Sequence, residues 1–123
     1  MVVTQSYINP SAEQIAALRE LDLEGPLVMV NLLRFLPDGG AEQYGRYAAA
    51  TQPFLESSGA TVRYLGGGAA TVIGPDEWDS VILVEYPNVR SFLEMVGRPD
   101  YPSELRDAAL ADSRLYCTQE GQR

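Results

Sequence analysis

Two short apolar runs with no consistently polar face constrain the fold most. Leu27-Val-Met-Val-Asn-Leu-Leu33 is apolar on both alternating faces except at Asn31, and Ser80 to Tyr86 is nearly so. A strand of this kind needs cover on both sides of its sheet. A chain of 123 residues has enough helix for one side only. The other side is therefore expected to meet a second copy, making a homodimer.

The remaining segments supply the helices. Asn9-Pro10-Ser11 opens a first helix that ends near Leu21, before Gly25-Pro26. Glu42 to Ser57 carries Tyr44, Tyr47, Ala48, Thr51, Phe54 and Leu55 at three-and-four spacing and stops at Gly59. A strand from Thr61 to Ala69 is loosened by Gly66-Gly67-Gly68, and Pro75 to Asp79 connects it to the Ser80 strand. Asn88 caps a helix over Val89 to Val96, a further helix is expected over Tyr101 to Asp112, and Arg114 to Thr118 closes as a strand. The order after the first helix is β-α-β-β-α-β, an α+β ferredoxin-like domain. The expected layout is an N-terminal helical extension over residues 1–24, the domain over 25–118 and a tail over 119–123. Two such sheets face to face make a dimeric α+β barrel.

Charge and missing residue types narrow the chemistry. Nine basic residues, all arginine, oppose 17 acidic ones for a net charge of -8, and there is no lysine or histidine. With no basic cluster, neither nucleic acid nor an anionic membrane is an expected partner. No apolar run reaches the roughly 18 to 20 residues of a membrane span, and Met1 to Gln5 shows no basic leader, so a cytoplasmic chain is expected. Cys117, alone, forms no internal disulfide. Without histidine there is no Ser-His-Asp triad, imidazole-ligated haem or ordinary zinc hydrolase site, and without lysine no Schiff base. The acidic loop Asp76, Glu77, Asp79 lacks calcium-loop spacing. No cofactor and no metal is expected, and any chemistry falls to Tyr, Asp, Glu, Arg or Asn.

Strand parity sorts these candidates. The fully apolar triplets Val28, Val30, Leu32 and Ile82, Val84, Tyr86 are expected to face the helices, together with Leu115 and Cys117. Asn31, Glu85, Arg114 and Tyr116 then point into the barrel, with Met29, Leu33, Val81 and Leu83 in the dimer interface. Buried polar groups must be paired, and a Glu85–Arg114 ion pair completed by Asn31 and Tyr116 would meet that demand, as a packing network or as the polar floor of a pocket. A register slip of one residue would invert the assignment. Trp78 either plugs a barrel end, with Asp79 capping a turn, or forms a pocket wall with Tyr44 or Tyr47.

Pro26 to Phe35, Trp78-Asp79, Val84-Glu-Tyr-Pro87, Met95 to Tyr101 and Arg106 to Leu115 together resemble the domain-of-unknown-function 1330 family. That family is similar to the dimeric α+β barrel superfamily, which includes antibiotic-biosynthesis monooxygenases, EthD-like proteins, muconolactone isomerases and chlorite dismutases. The resemblance implies the fold and the dimer and supplies no reaction. Matching positions include Asn31, Arg34, Tyr47, Trp78, Asp79, Glu85, Tyr101 and Arg114. The axial histidine of the haem-dependent relatives has no counterpart. The expected function is a cofactor-independent isomerase, cyclase or monooxygenase acting on a small cyclic or aromatic compound. Glu85 would be its base, Tyr47 or Tyr116 its acid, and Arg114 with Asn31 its oxyanion stabiliser. Arg34, Trp78, Asp79 and Tyr101 would join Asn31 in binding substrate. A Glu85 held by Arg114 would be a weak base. The alternatives are a non-catalytic small-molecule binding or sensing protein and a structural dimer.

Overall fold

A computed structural model describes residues 6–121; Met1 to Gln5 and the last two residues of the expected tail lie outside the described residues. Strand β1 (Leu27–Phe35) is central. Helix α1 (Ala12–Glu20) precedes it, and α2 (Gly40–Ser58) follows it. Then come β2 (Thr61–Gly67), β3 (Ser80–Tyr86), α3 (Val89–Val96), the short α4 (Ser103–Asp107) and β4 (Leu110–Thr118). The four strands form one antiparallel sheet in the order β2-β3-β1-β4, the ferredoxin-like topology with an added N-terminal helix.

Local chemistry sets the helix ends. Ser11 accepts from the Gln14 N–H while the Gln14 side chain bonds back to the Ser11 N–H, a reciprocal cap that starts α1. Asn88 Oδ1 accepts from the Ser91 N–H at 2.8 Å and starts α3 at the expected residue. Gly59, at φ 76°, closes α2 in the left-handed region that glycine tolerates.

The helices cover one sheet face. Leu27, Met29, Val84 and Tyr86 pack there against Val89, Phe92 and Met95, and a second cluster joins Leu33, Ala109 and Leu110. This corrects the parity of β1. Met29 and Leu33, expected between two copies, are 2% and 0% exposed beneath the helices, and Val28, Val30 and Leu32 take the other face. Both faces of β1 are apolar, so its pattern could not decide. Pairing with β3 did, because Met29 lies opposite Val84 and Leu33 opposite Ser80. Asn31 also sits on the helix side, where its amide donates to the Ile82 carbonyl at 3.2 Å and so meets the cost of burial.

The end of the chain departs from expectation too. The helix expected through Asp112 stops at Asp107, and β4 begins at Leu110. Ala108 to Ala111 has good helix formers, but Leu36 N–H bonds the Ala109 carbonyl at 2.9 Å and Leu110 pairs with Phe35. Tertiary pairing overrides propensity, and it puts Asp112 and Ser113 in a strand.

Met29→Ala should cost about 2–5 kcal/mol by emptying a core site, and Asn88→Ala about 1 kcal/mol by removing a helix cap. Urea unfolding checks both, and a Met29→Ala loss under 1 kcal/mol would restore the original parity of β1.

Candidate functional site

The register maps the uncovered sheet face as three rows. Arg114, Leu32, Val81 and Gly66 lie side by side across β4, β1, β3 and β2. Tyr116, Val30, Leu83 and Tyr64 form the next row, and Thr118, Val28, Glu85 and Thr61 the third. The centre is thus aliphatic, and all five of its side chains are half-buried. Tyrosines stand at both edges, Tyr116 71% and Tyr64 53% exposed.

A charged and aromatic cluster occupies the β4 end. Arg114 Nη1 donates to Asp112 Oδ1 and to the Ser113 carbonyl, both at 2.7 Å. Its guanidinium lies 4.8 Å from the Tyr7 ring centroid and 5.2 Å from that of Trp78. Arg34 lies over Trp78 at 4.9 Å, bonds the Glu77 carbonyl through Nε and Nη2, and reaches Asp112 Oδ2 at 3.6 Å. Asp79 takes the Phe35 N–H on Oδ2 at 2.8 Å, while its own N–H bonds the Leu33 carbonyl, so it ties the start of β3 to β1.

Asp112 was missed from sequence because it was expected in a helix. Its carboxylate is buried, and Oδ1 also accepts from the Tyr7 and Ser113 N–H groups at 2.8 and 2.9 Å. Burial alone would raise its pKa. The Tyr7, Arg114 and Ser113 bonds together outweigh that and hold it below the ordinary 3.8.

The expected Glu85–Arg114 pair does not form. The two share a face but stand two rows and two strands apart, roughly 13 Å along the strands and 10 Å across them. Glu85 instead pairs with Arg63 at 2.9 Å. Arg63 is the extra residue where the β2 register shifts between Val62 and Tyr64. Tyr116 shares the face without joining a Glu85–Arg114 network, and Asn31 is on the opposite side.

Tyr47 and Tyr101 are also on the opposite side, so no wall of Trp78 with Tyr44 or Tyr47 exists. Their hydroxyls hydrogen-bond each other, and the Tyr47 ring meets Tyr44 at a tilt of 52°, with centroids 5.2 Å apart. Tyr101 meets Phe54 edge-on at 5.5 Å. Desolvation raises the pKa of Tyr44 to about 12. It raises Tyr47 and Tyr86 further, helped by the neighbouring phenols, and Tyr101 is raised chiefly by burial. These phenols stay neutral at ordinary pH, as donors and acceptors rather than bases.

Open grooves of about 530 and 540 Å³ flank α1. Neither is lined by a side chain expected to bind or react. Among the described residues, no group of three or more Cys, Asp or Glu side chains gathers to hold a metal ion, and no helix is long and apolar enough to cross a membrane.

Among solved structures, the chain is similar to the RPA0582 protein of unknown function from Rhodopseudomonas palustris. The two are 36% identical with a TM-score of 0.88, over 97% of this chain and 100% of that one. This chain belongs to the RPA0582 family. The methylated RPA0582 protein gives the same identity and coverage with a TM-score of 0.85. Beyond the RPA0582 family, a dabb family protein from Mesorhizobium loti with a ferredoxin-like fold matches at 11% identity and a TM-score of 0.56, over 78% of this chain and 97% of that one. A dimeric ferredoxin-like protein of unknown function from Thermobifida fusca matches at 13% and 0.52, over 80% and 93%. These two show the fold alone. No family model matches the chain, and no curated protein matches it.

Two pH responses follow. The folded phenol pKa values lie above the unfolded 10.0, so their contribution to stability is whole below pH 10 and is lost as pH rises, through about 12 for Tyr44. Absorbance at 295 nm should show these tyrosines ionising only with alkaline unfolding; free titration near pH 10 would contradict their burial. The Asp112 contribution has the opposite sign, present above 3.8 and lost as pH falls through the lower folded value. Asp112→Asn should cost about 1–3 kcal/mol at neutral pH and make the acid limb of the stability profile shallower, as read by urea unfolding at stepped pH.

Proposed function

We propose that this chain is a cytoplasmic, non-catalytic small-molecule-binding protein that works as a homodimer and holds a small cyclic or aromatic organic compound against its uncovered sheet face. Membership of the domain-of-unknown-function 1330 family, argued from the sequence resemblance, is part of the same proposal. The observation that carries it is the composition of that face: an aliphatic floor of Val28, Val30, Leu32, Val81 and Leu83, bordered by Tyr64, Tyr116, Trp78 and Arg114. Apolar walls with a few convergent polar groups are what small-ligand sites require.

Catalysis as an isomerase, cyclase or monooxygenase is less well supported. Its base, Glu85, is held by Arg63. Of its two candidate acids, Tyr47 is across the sheet, bonded to Tyr101, and Tyr116 alone shares the face with Arg114. The oxyanion pair of Arg114 and Asn31 is split between the two faces. The face also supports the dimer, because a contiguous aliphatic patch bordered by polar groups marks an interaction surface. The sheet of a second copy facing it would cover it and enclose the space in which the compound lies.

Light scattering at micromolar concentration should give near twice 13.5 kDa. Leu83→Asp, which sets a charge in the floor, should shift the protein toward monomer. Trp78 is the one tryptophan in the chain and lies at this face, so its emission reports a bound aromatic compound. Saturable quenching that is lost in Leu83→Asp is the expected result. A monomeric wild type with no saturable quenching across a panel of small aromatic compounds would sink the proposal.

A further inference from the structure

The row that starts at Arg114 has the chemistry of a directional binding track. Arg114 spends Nη1 on Asp112 and on the Ser113 carbonyl. Among the described residues its Nε and Nη2 edge has no hydrogen-bond partner, although the rings of Tyr7 and Trp78 fix the plane of the group. That edge is a two-donor fork of the geometry that matches a carboxylate. Arg34 differs: its Nε and Nη2 are both turned to the Glu77 carbonyl.

Leu32 lies next to Arg114 in the row, then Val81, so the two central positions offer only aliphatic contact. The row ends at Gly66, where a Cβ would collide with the Tyr64 ring, 2.7 Å from its Cε2. The Tyr64 hydroxyl therefore lies over Gly66 and closes the row with a hydrogen-bonding group. Three strand spacings separate the ends, about 14 Å between backbones. Glycine at position 66 is what lets the phenol fold over its own strand.

We infer that this row recognises an elongated, flat organic acid: its carboxylate is held on the Nε and Nη2 edge of Arg114, its apolar body lies over Leu32 and Val81, and a distal hydroxyl or carbonyl meets Tyr64. The inference rests on the proposal that this face binds small molecules, and it adds the ligand's charge and direction. In a chain of net charge -8, long-range attraction does not bring an anion here. Recognition depends on the short-range fork.

The test uses the wild-type protein with 4-hydroxycinnamate, its neutral amide, and cinnamate without the hydroxyl. Trp78 quenching gives affinity, and the Arg114 Nε–H resonance gives the position of the carboxylate. The acid should bind at least about 10-fold more tightly than the amide and shift that resonance. Arg114→Lys keeps the charge without the fork and should lose about 10-fold for the acid and little for the amide. Tyr64→Phe keeps the ring over Gly66 and should erase the preference of 4-hydroxycinnamate over cinnamate.

Equal binding of acid and amide, unmoved by Arg114→Lys, would overturn the carboxylate assignment while leaving the binding face standing. No quenching by any of the three would remove the binding face with it. An Arg114 Nε–H resonance already displaced in the free dimer and restored in Leu83→Asp would assign the fork to a partner carboxylate, which also overturns the inference. Because the comparison of acid with amide needs no variant, a misfolded substitution cannot hide the answer.

Discussion

The buried carboxylate of Asp112 is the constraint on which the β4 end of the sheet depends. It takes backbone N–H groups from Tyr7 and Ser113 and a guanidinium N–H from Arg114, with Arg34 close by. A carboxylate at this depth persists only when its lone pairs are filled. Filling them draws the N-terminal segment onto β4 and orients both arginines toward Trp78. The Ser113 hydroxyl and Arg106 add bonds to the Tyr7 and Ile8 carbonyls. The segment is thereby fixed beside β4, an edge strand of the sheet.

The sheet divides the polar chemistry into two populations, linked at the β4 end through Arg106, Ser113 and Tyr7. On the helix side, phenols are grouped with aromatic and aliphatic neighbours, and desolvation keeps them protonated. On the uncovered side, charges are paired locally, Glu85 with Arg63 and Arg114 with Asp112, so each has its counter-charge near where it stands. This separation places neutral donors where water is scarce and charges where a ligand or a second copy could meet them.

The topology was legible from the breaks and apolar runs. Asn88, Gly59 and the Ser11–Gln14 pair act through their immediate neighbours, so the ends they mark could be read locally. The face assignments of β3 and β4 were legible as well, since Glu85 interrupts an otherwise apolar run and Leu115 and Cys117 alternate with Arg114, Tyr116 and Thr118. In β1 the one polar residue pointed the wrong way, because an asparagine amide that finds a backbone carbonyl can lie beneath helices as readily as a leucine.

What the sequence determined by itself is therefore the order of elements, the lack of histidine and lysine chemistry, and the supply of tyrosine, arginine and acid along the strands. Tertiary structure alone decided which of these meet. The register of β1 against β3 set which face holds Met29, and the pull of β1 on Leu110 turned a helical sequence into strand and created the Asp112 site. The extra residue at Arg63 gave Glu85 a partner other than Arg114. Each outcome depends on hydrogen bonding between segments far apart in the chain, and such pairing leaves no trace in local periodicity.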